Sequence, residues 1–280
     1  MDGLRDLVTS ASLYGRSSLR LLQRTRRQGV EERLVFVVGC PRSGTTFVGG
    51  SLGSQPGFVD LGEVHPLKAA IPRLVELPDD EAAQALRRSL EVVRLLGRAR
   101  GLRAVEQTPE TAFVLRAALL AYPQARAVHV VRDARDVVSS LLERGWLSEG
   151  RAGADDVGSS YGSRCRFWVP PDRAASFEHE SDATRAALAW RQYVTAARAV
   201  PDRTLELRYE SLAADPEGAA ELVAGHLGSD PAPLAQAFAD AHDGSIGRWR
   251  RDLTPEQVED VEREAGALLE NLGYAHSIGS

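Results

Sequence analysis

Lysine is almost missing from this chain. Of its 34 lysine and arginine residues, only Lys68 is a lysine. The composition is typical of a GC-rich bacterial genome, but it also constrains chemistry. An ammonium group is a compact point charge, whereas a guanidinium is a planar fork of donors, so the two are not interchangeable at a site. Any role that needs an ammonium group must therefore fall to Lys68 or be taken over by arginine.

Cysteine and long apolar runs are also scarce. The two cysteines, Cys40 and Cys165, offer neither the spacing of a metal site nor a disulfide framework. No run approaches the roughly 18 apolar residues of a spanning helix, and charged residues interrupt the apolar residues of 4–22, unlike a signal peptide. We therefore expect a reducing compartment and a cytoplasmic location.

Excess positive charge is missing as well. The net charge of −5 excludes a whole-molecule nucleic-acid binder, so basic sites must be local. We predict one domain at 34–280, preceded by a basic, amphipathic helix at 1–33. That helix could pack on its own domain or lie on a membrane surface or partner. The oligomeric state stays open, and a homodimer is compatible with the sequence.

Strand and helix signals alternate along the chain. Five short apolar segments rich in β-branched residues predict buried parallel strands at 34–39, 58–61, 102–106, 125–131 and 204–207. Helical periodicity predicts helices at 45–52, 66–77, 80–98, 110–122, 134–144, 181–199, 210–227, 231–241 and 254–271. This alternation predicts an α/β fold with a P-loop-like parallel sheet flanked by helices.

Residues 146–180 interrupt this alternation with repeated glycines and a Pro-Pro pair. A long irregular insert is usually functional, so we predict a lid over an acceptor. Its aromatic residues could face that acceptor or tie the insert to the core, and both readings stay open. They are Trp146, Tyr161, Phe167, Trp168 and Phe177.

The segment 39–46 reads GCPRSGTT and joins the first strand to a helix. Its Gly-x4-Gly spacing, backbone amides and helix N-terminus are typical of a phosphate-binding loop. A loop for a magnesium-bound triphosphate has lysine after the second glycine, but Thr45 stands there and the cation is Arg42. The loop therefore favours an anionic donor without a chelated metal, although a purely structural turn stays an alternative.

Arg132 ends the fourth predicted strand, where side chains of a parallel sheet face the ligand crevice. Its guanidinium fork suits a phosphate. Ser140 and Arg144 follow on one face of the next helix, four residues apart. Arg135 and Asp136 are expected to form surface or capping pairs. These positions predict a second phosphate contact.

The PRSGTT loop, followed by a strand that ends in Arg132 with Ser140 eight residues later, resembles the sulfotransferases that use 3′-phosphoadenosine 5′-phosphosulfate (PAPS). The resemblance runs from about residue 35 to 249. It implies that the loop holds the 5′-phosphosulfate and that Arg132 and Ser140 hold the 3′-phosphate. Arg144 and Tyr209 match nucleotide contacts of tyrosylprotein sulfotransferases, and Ser245 and Arg248 match a segment that closes over the nucleotide. The loop residues carried over are Arg42, Ser43, Gly44, Thr45 and Thr46.

Residues 61–66 read LGEVHP and follow the second predicted strand. They resemble the Glu-Val-His stretch of heparan sulfate 3-O-sulfotransferases and the Gly-Glu stretch of tyrosylprotein sulfotransferases, in which the glutamate is the catalytic base. The resemblance implies that Glu63 removes the acceptor proton. Two alternatives stay open: His65 is the base or orients Glu63, or Glu63 only pairs with an arginine.

Gln107 departs from the family pattern, because the segment Glu-Gln-Thr-Pro at 106–109 resembles one that usually carries lysine at this position. A glutamine donates hydrogen bonds but supplies no charge. Arg42 could carry the electrostatic part alone, Lys68 could reach in, or activity could be low. His129 lies mid-strand among apolar residues and is expected to be a satisfied core residue.

The sequence thus predicts a PAPS-dependent sulfotransferase. It would form adenosine 3′,5′-bisphosphate (PAP), use no metal and sulfate a hydroxyl of a small-molecule, glycan or glycolipid acceptor. Two alternatives remain: an ATP-dependent small-molecule phosphotransferase and a non-catalytic binder of adenosine bisphosphate. The missing loop lysine argues against the first, and Gln107 keeps the second open.

Overall fold

The computed structural model describes residues 34–147 and 166–274. The predicted basic helix at 1–33 lies outside this range. So do residues 148–165 of the predicted lid, with Tyr161 and Cys165 among them.

Five parallel strands form a sheet in the order β2-β3-β1-β4-β5. Their bounds are β1 Leu34–Val38, β2 Phe58–Gly62, β3 Arg103–Glu106, β4 Arg126–Val131 and β5 Thr204–Arg208. Every strand lies within one residue of its predicted segment at each end, and the predicted α/β class with a parallel sheet is confirmed. β1 is central, since Phe36 is in register with Glu106 of β3 on one side and Ala127 of β4 on the other.

Helices follow the strands. They are α1 Thr45–Gly53, α2 His65–Leu74, α3 Asp79–Arg100, α4 Leu115–Ala121, α5 Ala134–Arg144, α6 Ala174–Phe177, α7 Asp182–Arg198, α8 Tyr209–Ala214, α9 Pro216–Leu227, α10 Pro231–Phe238, α11 Trp249–Asp252 and α12 Pro255–Asn271. Short 3₁₀ turns occupy Pro109–Val114 and Pro171–Arg173. Across the described ranges, none of these helices has the length and apolar character needed to cross a membrane.

Two predicted helices differ in detail. The segment predicted as one helix at 110–122 begins as a 3₁₀ turn and becomes α-helical only at Leu115. The segment at 210–227 is broken at Asp215, because the following proline has no amide to continue α8. The Asp215 carboxylate instead caps α9 by accepting from the Gly218 amide at 2.9 Å.

The strands alternate between two buried faces. Val35 and Val37 face a cluster formed with α1, α8, α9 and α10, whereas Phe36 and Val38 face a larger cluster formed with the remaining long helices. Burial on both faces accounts for the continuous apolar runs in the sequence. The loops at the carboxyl edge of the sheet are therefore carried on a packed support.

Candidate active site

The predicted functional residues collect at one edge of the sheet. Because all five strands are parallel, the loops that follow them leave from the same edge. The segment 39–46 follows β1, Glu63 follows β2, Gln107 follows β3 and Arg132 follows β4. Tyr209 follows β5 as the first residue of α8. Positions from widely separated parts of the chain are thus brought to one crevice.

The phosphate loop depends on two glycines. A Cβ on Gly39 would lie 2.3 Å from the Val130 carbonyl oxygen of β4, so only glycine permits this approach. Gly44 has φ +101, and a Cβ there would lie 2.5 Å from the Tyr209 ring. With Gly44 as its N-cap, α1 begins at Thr45 and presents its unpaired amides to the crevice.

Arg42 links the two predicted phosphate segments. Its Nε donates to the Ser140 hydroxyl of α5 at 3.0 Å. Its guanidinium carbon also lies 5.6 Å from the centroid of the Trp146 ring. Residues 98 positions apart therefore meet directly, as expected if they surround a single ligand.

Arg132 is held from several sides. One terminal nitrogen donates to the Ser245 carbonyl at 2.5 Å and the other to the Arg42 carbonyl at 3.5 Å. The guanidinium lies over the Tyr209 ring, 5.3 Å from its centroid. The indole of Trp190 donates to the Arg132 carbonyl at 3.0 Å. Its orientation toward the loop is thus fixed before any ligand binds.

Two buried donors at this place have no hydrogen-bond partner within the described residues. They are the Ser43 hydroxyl and Nε of Arg132. Unpaired buried donors are costly, so an anionic ligand that accepts from these two donors would be stabilised here. Together with the loop amides, these donors fit the phosphate groups of a nucleotide donor.

Asp136 fastens the 245–249 segment over Arg132. Its carboxylate accepts from the amides of Gly247 at 2.7 Å and Trp249 at 3.1 Å. Burial raises its pKa above the ordinary value, while those two amides and Arg132 oppose the rise. The side chain thus holds the segment that carries Ser245.

Surface or capping pairs were predicted for Arg135 and Asp136, and the surface alternative is wrong, whereas Arg135 does pair with Asp133, the N-cap residue of α5. Both residues are buried, and Arg135 pairs with Asp133 at 2.7 Å and Glu262 at 3.3 Å. Helix α12 packs on α5 and covers them. Because α5 and α12 are far apart in the sequence, the local residue pattern of α5 does not predict this contact.

Glu63 stands at an irregular strand end. The pairing of β2 with β3 shifts register between Asp60 and Gly62, and the Gly62 amide donates back to the Asp60 carboxylate at 2.8 Å. Such a bulge re-aims the next side chain. The Val64 amide then donates to the Thr108 hydroxyl at 3.0 Å, which fastens the other flank of Glu63.

Lys68 lies between two carboxylates. Its Nζ is 2.9 Å from Oε2 of Glu63 and 3.2 Å from Oε1 of Glu110. Lys68 and Glu110 are almost fully buried, whereas the Glu63 side chain keeps 30% of its exposure. Burial raises the pKa of Glu110, and the Lys68 ammonium opposes that rise. His65, at the start of α2, has no hydrogen bond to Glu63 within the described residues.

Gln107 is buried and turned toward β2. Its amide nitrogen donates to the Asp60 carboxylate at 3.2 Å, and its side chain packs against Gly49 of α1. The neighbouring Glu106 accepts from the Thr108 amide at 2.8 Å and the Thr111 hydroxyl at 3.1 Å. Complete burial raises the pKa of Glu106 to about 7, although these hydrogen bonds oppose the rise.

The remaining predicted contacts lie around the crevice. Tyr209 is buried, and its hydroxyl donates to the His242 carbonyl at 3.1 Å. Arg248 pairs with Glu143 at 2.7 Å and Asp252 at 2.5 Å. Arg144 is exposed in the last turn of α5, and Thr46 is exposed in the first turn of α1.

Part of the predicted lid is tied to the core. Trp168 and Phe177 are buried, and their rings meet edge to face at 5.6 Å. Phe167 is half-buried and meets the half-buried Phe113 at 5.2 Å. His129 is buried as predicted, but only its Nδ1 has a partner, the Glu206 carboxylate at 3.4 Å, and its Nε2 has none among the described residues.

Three supporting residues were missed by the sequence reasoning. Trp190 was given no role beyond its place in the predicted helix at 181–199, Asp136 was predicted as a surface or capping residue, and Glu110 was predicted only as the start of a helix. Their roles depend on long-range packing. Only the presence of a single lysine, Lys68, indicated that an acidic partner such as Glu110 is needed. The sequence carries no other local signal for them.

Comparison with known proteins agrees with this geometry. A model of the sulfotransferase family matches residues 35–233. No curated protein matches the chain by sequence.

Solved structures share the fold. A sulfotransferase domain of the olefin synthase of Synechococcus PCC 7002 is 15% identical with a TM-score of 0.52, over 86% of this chain and 98% of its own. A sulfotransferase from Alicyclobacillus acidocaldarius is 16% identical with a TM-score of 0.51, over 88% and 98% of the two chains. One from Mycobacterium avium is 14% identical with a TM-score of 0.51, over 94% and 81%. With a family model matched over most of its length and a five-stranded parallel sheet that carries a phosphate loop, the chain belongs to the sulfotransferase family.

Proposed function

We propose that the protein transfers the sulfuryl group of PAPS to a hydroxyl group of an acceptor and releases PAP. The observation that carries this proposal is the contact between the two predicted phosphate segments. Arg42 of the loop donates to Ser140, and Arg132 donates to the carbonyl of Arg42. A donor with phosphates at both its 5′ and 3′ positions matches two cationic segments that converge.

The residues divide the work as follows. The loop amides, Arg42 and the Ser43 hydroxyl bind the 5′ end, while Arg132 and Ser140 bind the 3′-phosphate. PAPS supplies the sulfuryl group. Glu63 accepts the hydroxyl proton as the acceptor oxygen bonds to sulfur and the bond from sulfur to the 5′-phosphate breaks. Positioning and charge stabilisation by these groups account for the proposed sulfuryl transfer, and the proposed step uses no metal.

The acceptor is proposed to lie on the Glu63 side of the crevice. The 3₁₀ turn that carries Glu110 ends beside Phe113, which forms a half-buried aromatic pair with Phe167. Aromatic edges of this kind suit a sugar face, a phenol or an apolar chain. We propose a small-molecule, glycan or glycolipid acceptor, and the two cysteines favour a reducing, cytoplasmic setting.

Isothermal titration with PAP, AMP and ATP tests the donor. We expect PAP to bind most tightly, and Ser140→Ala to reduce its advantage over AMP. Arg132→Ala should remove that advantage. Arg116→Ala, which removes an arginine whose side chain is 63% exposed, is the matched control and should bind PAP as the wild type does. Equal or tighter binding of ATP would favour a phosphotransferase instead.

Turnover of PAPS tests catalysis separately from binding. Glu63→Gln should bind PAP normally and lose about 10²–10⁴-fold in turnover, the usual contribution of a general base. Unchanged turnover in this variant would remove Glu63 as the base and favour His65. Tight PAP binding by a wild-type protein that sulfates no acceptor would indicate a non-catalytic binder.

A further inference from the structure

The single lysine of this chain lies at the predicted base. In a sequence that uses arginine everywhere else, Lys68 is buried beneath Glu63 with its Nζ in contact with two carboxylates. A guanidinium is wider and needs planar partners, whereas an ammonium can sit between two carboxylates that approach from different elements. The geometry of this pocket accounts for a lysine where composition favours arginine.

The surroundings of Lys68 hold it in place. Its stem leaves α2 between Leu67 and Ile71, which are fully buried. Glu110, on the 3₁₀ turn after β3, is 1% exposed and binds the ammonium from the interior side. A buried charge that loses its partner is costly, so the Lys68–Glu110 pair cannot easily separate. The ammonium therefore faces Glu63 from a fixed position.

Glu63 is the most exposed member of this group. Its side chain is 30% exposed and contacts Lys68 through one oxygen, Oε2, at 2.9 Å. The titratable groups that interact within the cluster are Lys68 on α2, Glu110 on the 3₁₀ turn and Glu63 after β2.

We propose that Lys68, anchored by Glu110, positions Glu63 for proton transfer. The ammonium fixes one carboxylate oxygen at 2.9 Å, which leaves the other oxygen for the acceptor hydroxyl. Lys68 acts through Glu63, so it is a positioning residue and not a catalytic one. This inference rests on the proposed function, in which Glu63 is the base.

The acid side of the pH profile distinguishes positioning from a purely structural role. Lys68→Met removes a positive charge 2.9 Å from the Glu63 carboxylate, so activity should be lost at a higher pH on the acid side than in the wild type. Glu110→Gln keeps that positive charge, and burial already raises the pKa of Glu110, so the acid side of its profile should stay close to that of the wild type. A structural pair would lower stability in both variants and leave the acid side of both profiles unmoved.

The size of the loss in kcat is measured at the pH optimum. Lys68→Met should reduce kcat about tenfold or more, a fraction of the contribution of a general base. Its KM for PAPS and its Kd for PAP should stay within about twofold of wild type, because the phosphate contacts lie on other loops. Lys68→Arg keeps the charge and should retain the acid-side profile at reduced kcat.

The contact itself is tested without any acceptor. Lysine-selective ¹⁵N labelling of the full chain without added lysines gives a single Nζ signal in the NMR spectrum, because Lys68 is the only lysine. Glu63→Gln and Glu110→Gln should each move that signal. Glu76→Gln changes an exposed glutamate just beyond α2 and should leave it unmoved.

The outcomes separate the two proposals. A Nζ signal that does not move in Glu63→Gln would overturn the positioning role even if sulfation is measured. So would an acid-side profile of Lys68→Met that matches the wild type. If the Nζ signal moves in Glu63→Gln but the wild-type protein binds PAP and sulfates no acceptor, the proposed function is overturned instead. A Nζ signal that moves in Glu63→Gln, together with an acid-side shift in Lys68→Met, supports both proposals.

Discussion

Gly44 shows how a single residue shapes the phosphate loop. Its φ of +101 lies in the region that side chains avoid, and the Tyr209 ring occupies the space of a Cβ at 2.5 Å. Gly44→Ala should therefore distort the loop and displace Tyr209 from Arg132. We expect a stability loss of about 1–3 kcal/mol and at least a tenfold loss of PAP affinity, measured by urea unfolding and titration calorimetry.

Gly50 provides the matched control for this substitution. It lies in the same helix, and a Cβ there meets nothing within 4 Å. Gly50→Ala should bind PAP normally and gain up to about 1 kcal/mol from helix propensity. Similar effects of the two substitutions would contradict the strain attributed to Gly44.

Glu106 makes stability depend on pH. Burial raises its pKa from 4.5 to about 7, so the folded protein keeps a proton that the unfolded chain releases. The contribution of this proton to the free energy of unfolding is fully present below pH 4.5 and is lost as the pH rises through 7. The free energy of unfolding should fall by about 3 kcal/mol between these limits, since a tenfold difference in proton affinity corresponds to about 1.4 kcal/mol.

Glu106→Gln isolates this effect. The amide keeps an acceptor for the Thr108 amide, and its nitrogen can donate to Thr111. The free energy of unfolding, measured in urea at pH 5 and pH 7.5, should fall less with pH in the variant than in the wild type. Identical pH dependences would show that Glu106 is not the buried acid responsible.

Sequence reasoning located residues well where a motif and a strand end coincide. Arg132 and Ser140 reached the loop as expected, because a strand end and helical spacing fix their places. Glu110 and Asp136 could not be predicted, since burial of a carboxylate depends on helices far along the chain. The partner of Glu63 is Lys68 and not the arginine considered from sequence.

At the scale of elements, α5 and the 245–249 segment form one unit over the side of the crevice that carries Arg132. Asp136 joins them through two amides, and Ser245 completes the link by accepting from Arg132. Asp136→Asn leaves one of the two amides with no acceptor and the other with an uncharged one. We expect faster hydrogen exchange at Gly247 and Trp249 and weaker PAP binding. The free energy of opening and the free energy of binding should each change by about 1–3 kcal/mol.

Asp243→Asn is the control for that change. Asp243 is exposed in the same loop, and its side chain has no described partner. Its exchange rates and PAP affinity should match the wild type. Equal acceleration in both variants would mean that the loop opens without regard to the Asp136 contacts.

Helices and strands were easier to predict where their apolar residues recur regularly. All five strands have strong apolar runs and were found, as were the long helices. The 3₁₀ turn Pro109–Val114 and the break before Pro216 were missed because helical spacing of apolar residues continues across both. Backbone geometry at a proline decides such breaks, whereas periodicity reports only which face is buried.

At the scale of the molecule, the predicted site residues follow strands from both halves of the sheet. The loop follows central β1, Arg132 follows β4, and Tyr209 follows edge strand β5 on that same side, while Glu63 follows β2 at the opposite edge. No local sequence pattern predicts the strand order. That order places the predicted phosphate-binding residues together and places the predicted base on the other side of β3. Binding at such a crevice connects elements that otherwise meet only through the core.

PAP should therefore stabilise the domain as a whole. At a concentration 100 times its Kd, binding adds about 2.7 kcal/mol, which corresponds to a rise in Tm of roughly 5–10 °C for a domain of this size. Differential scanning calorimetry should show one transition that moves intact, with a smaller shift for AMP at the same concentration. Arg132→Ala should lose most of the shift, and Arg116→Ala should keep it. A transition that splits, with only one part moving, would show that the halves of the sheet unfold separately and that the ligand bridges less of the molecule than this geometry requires.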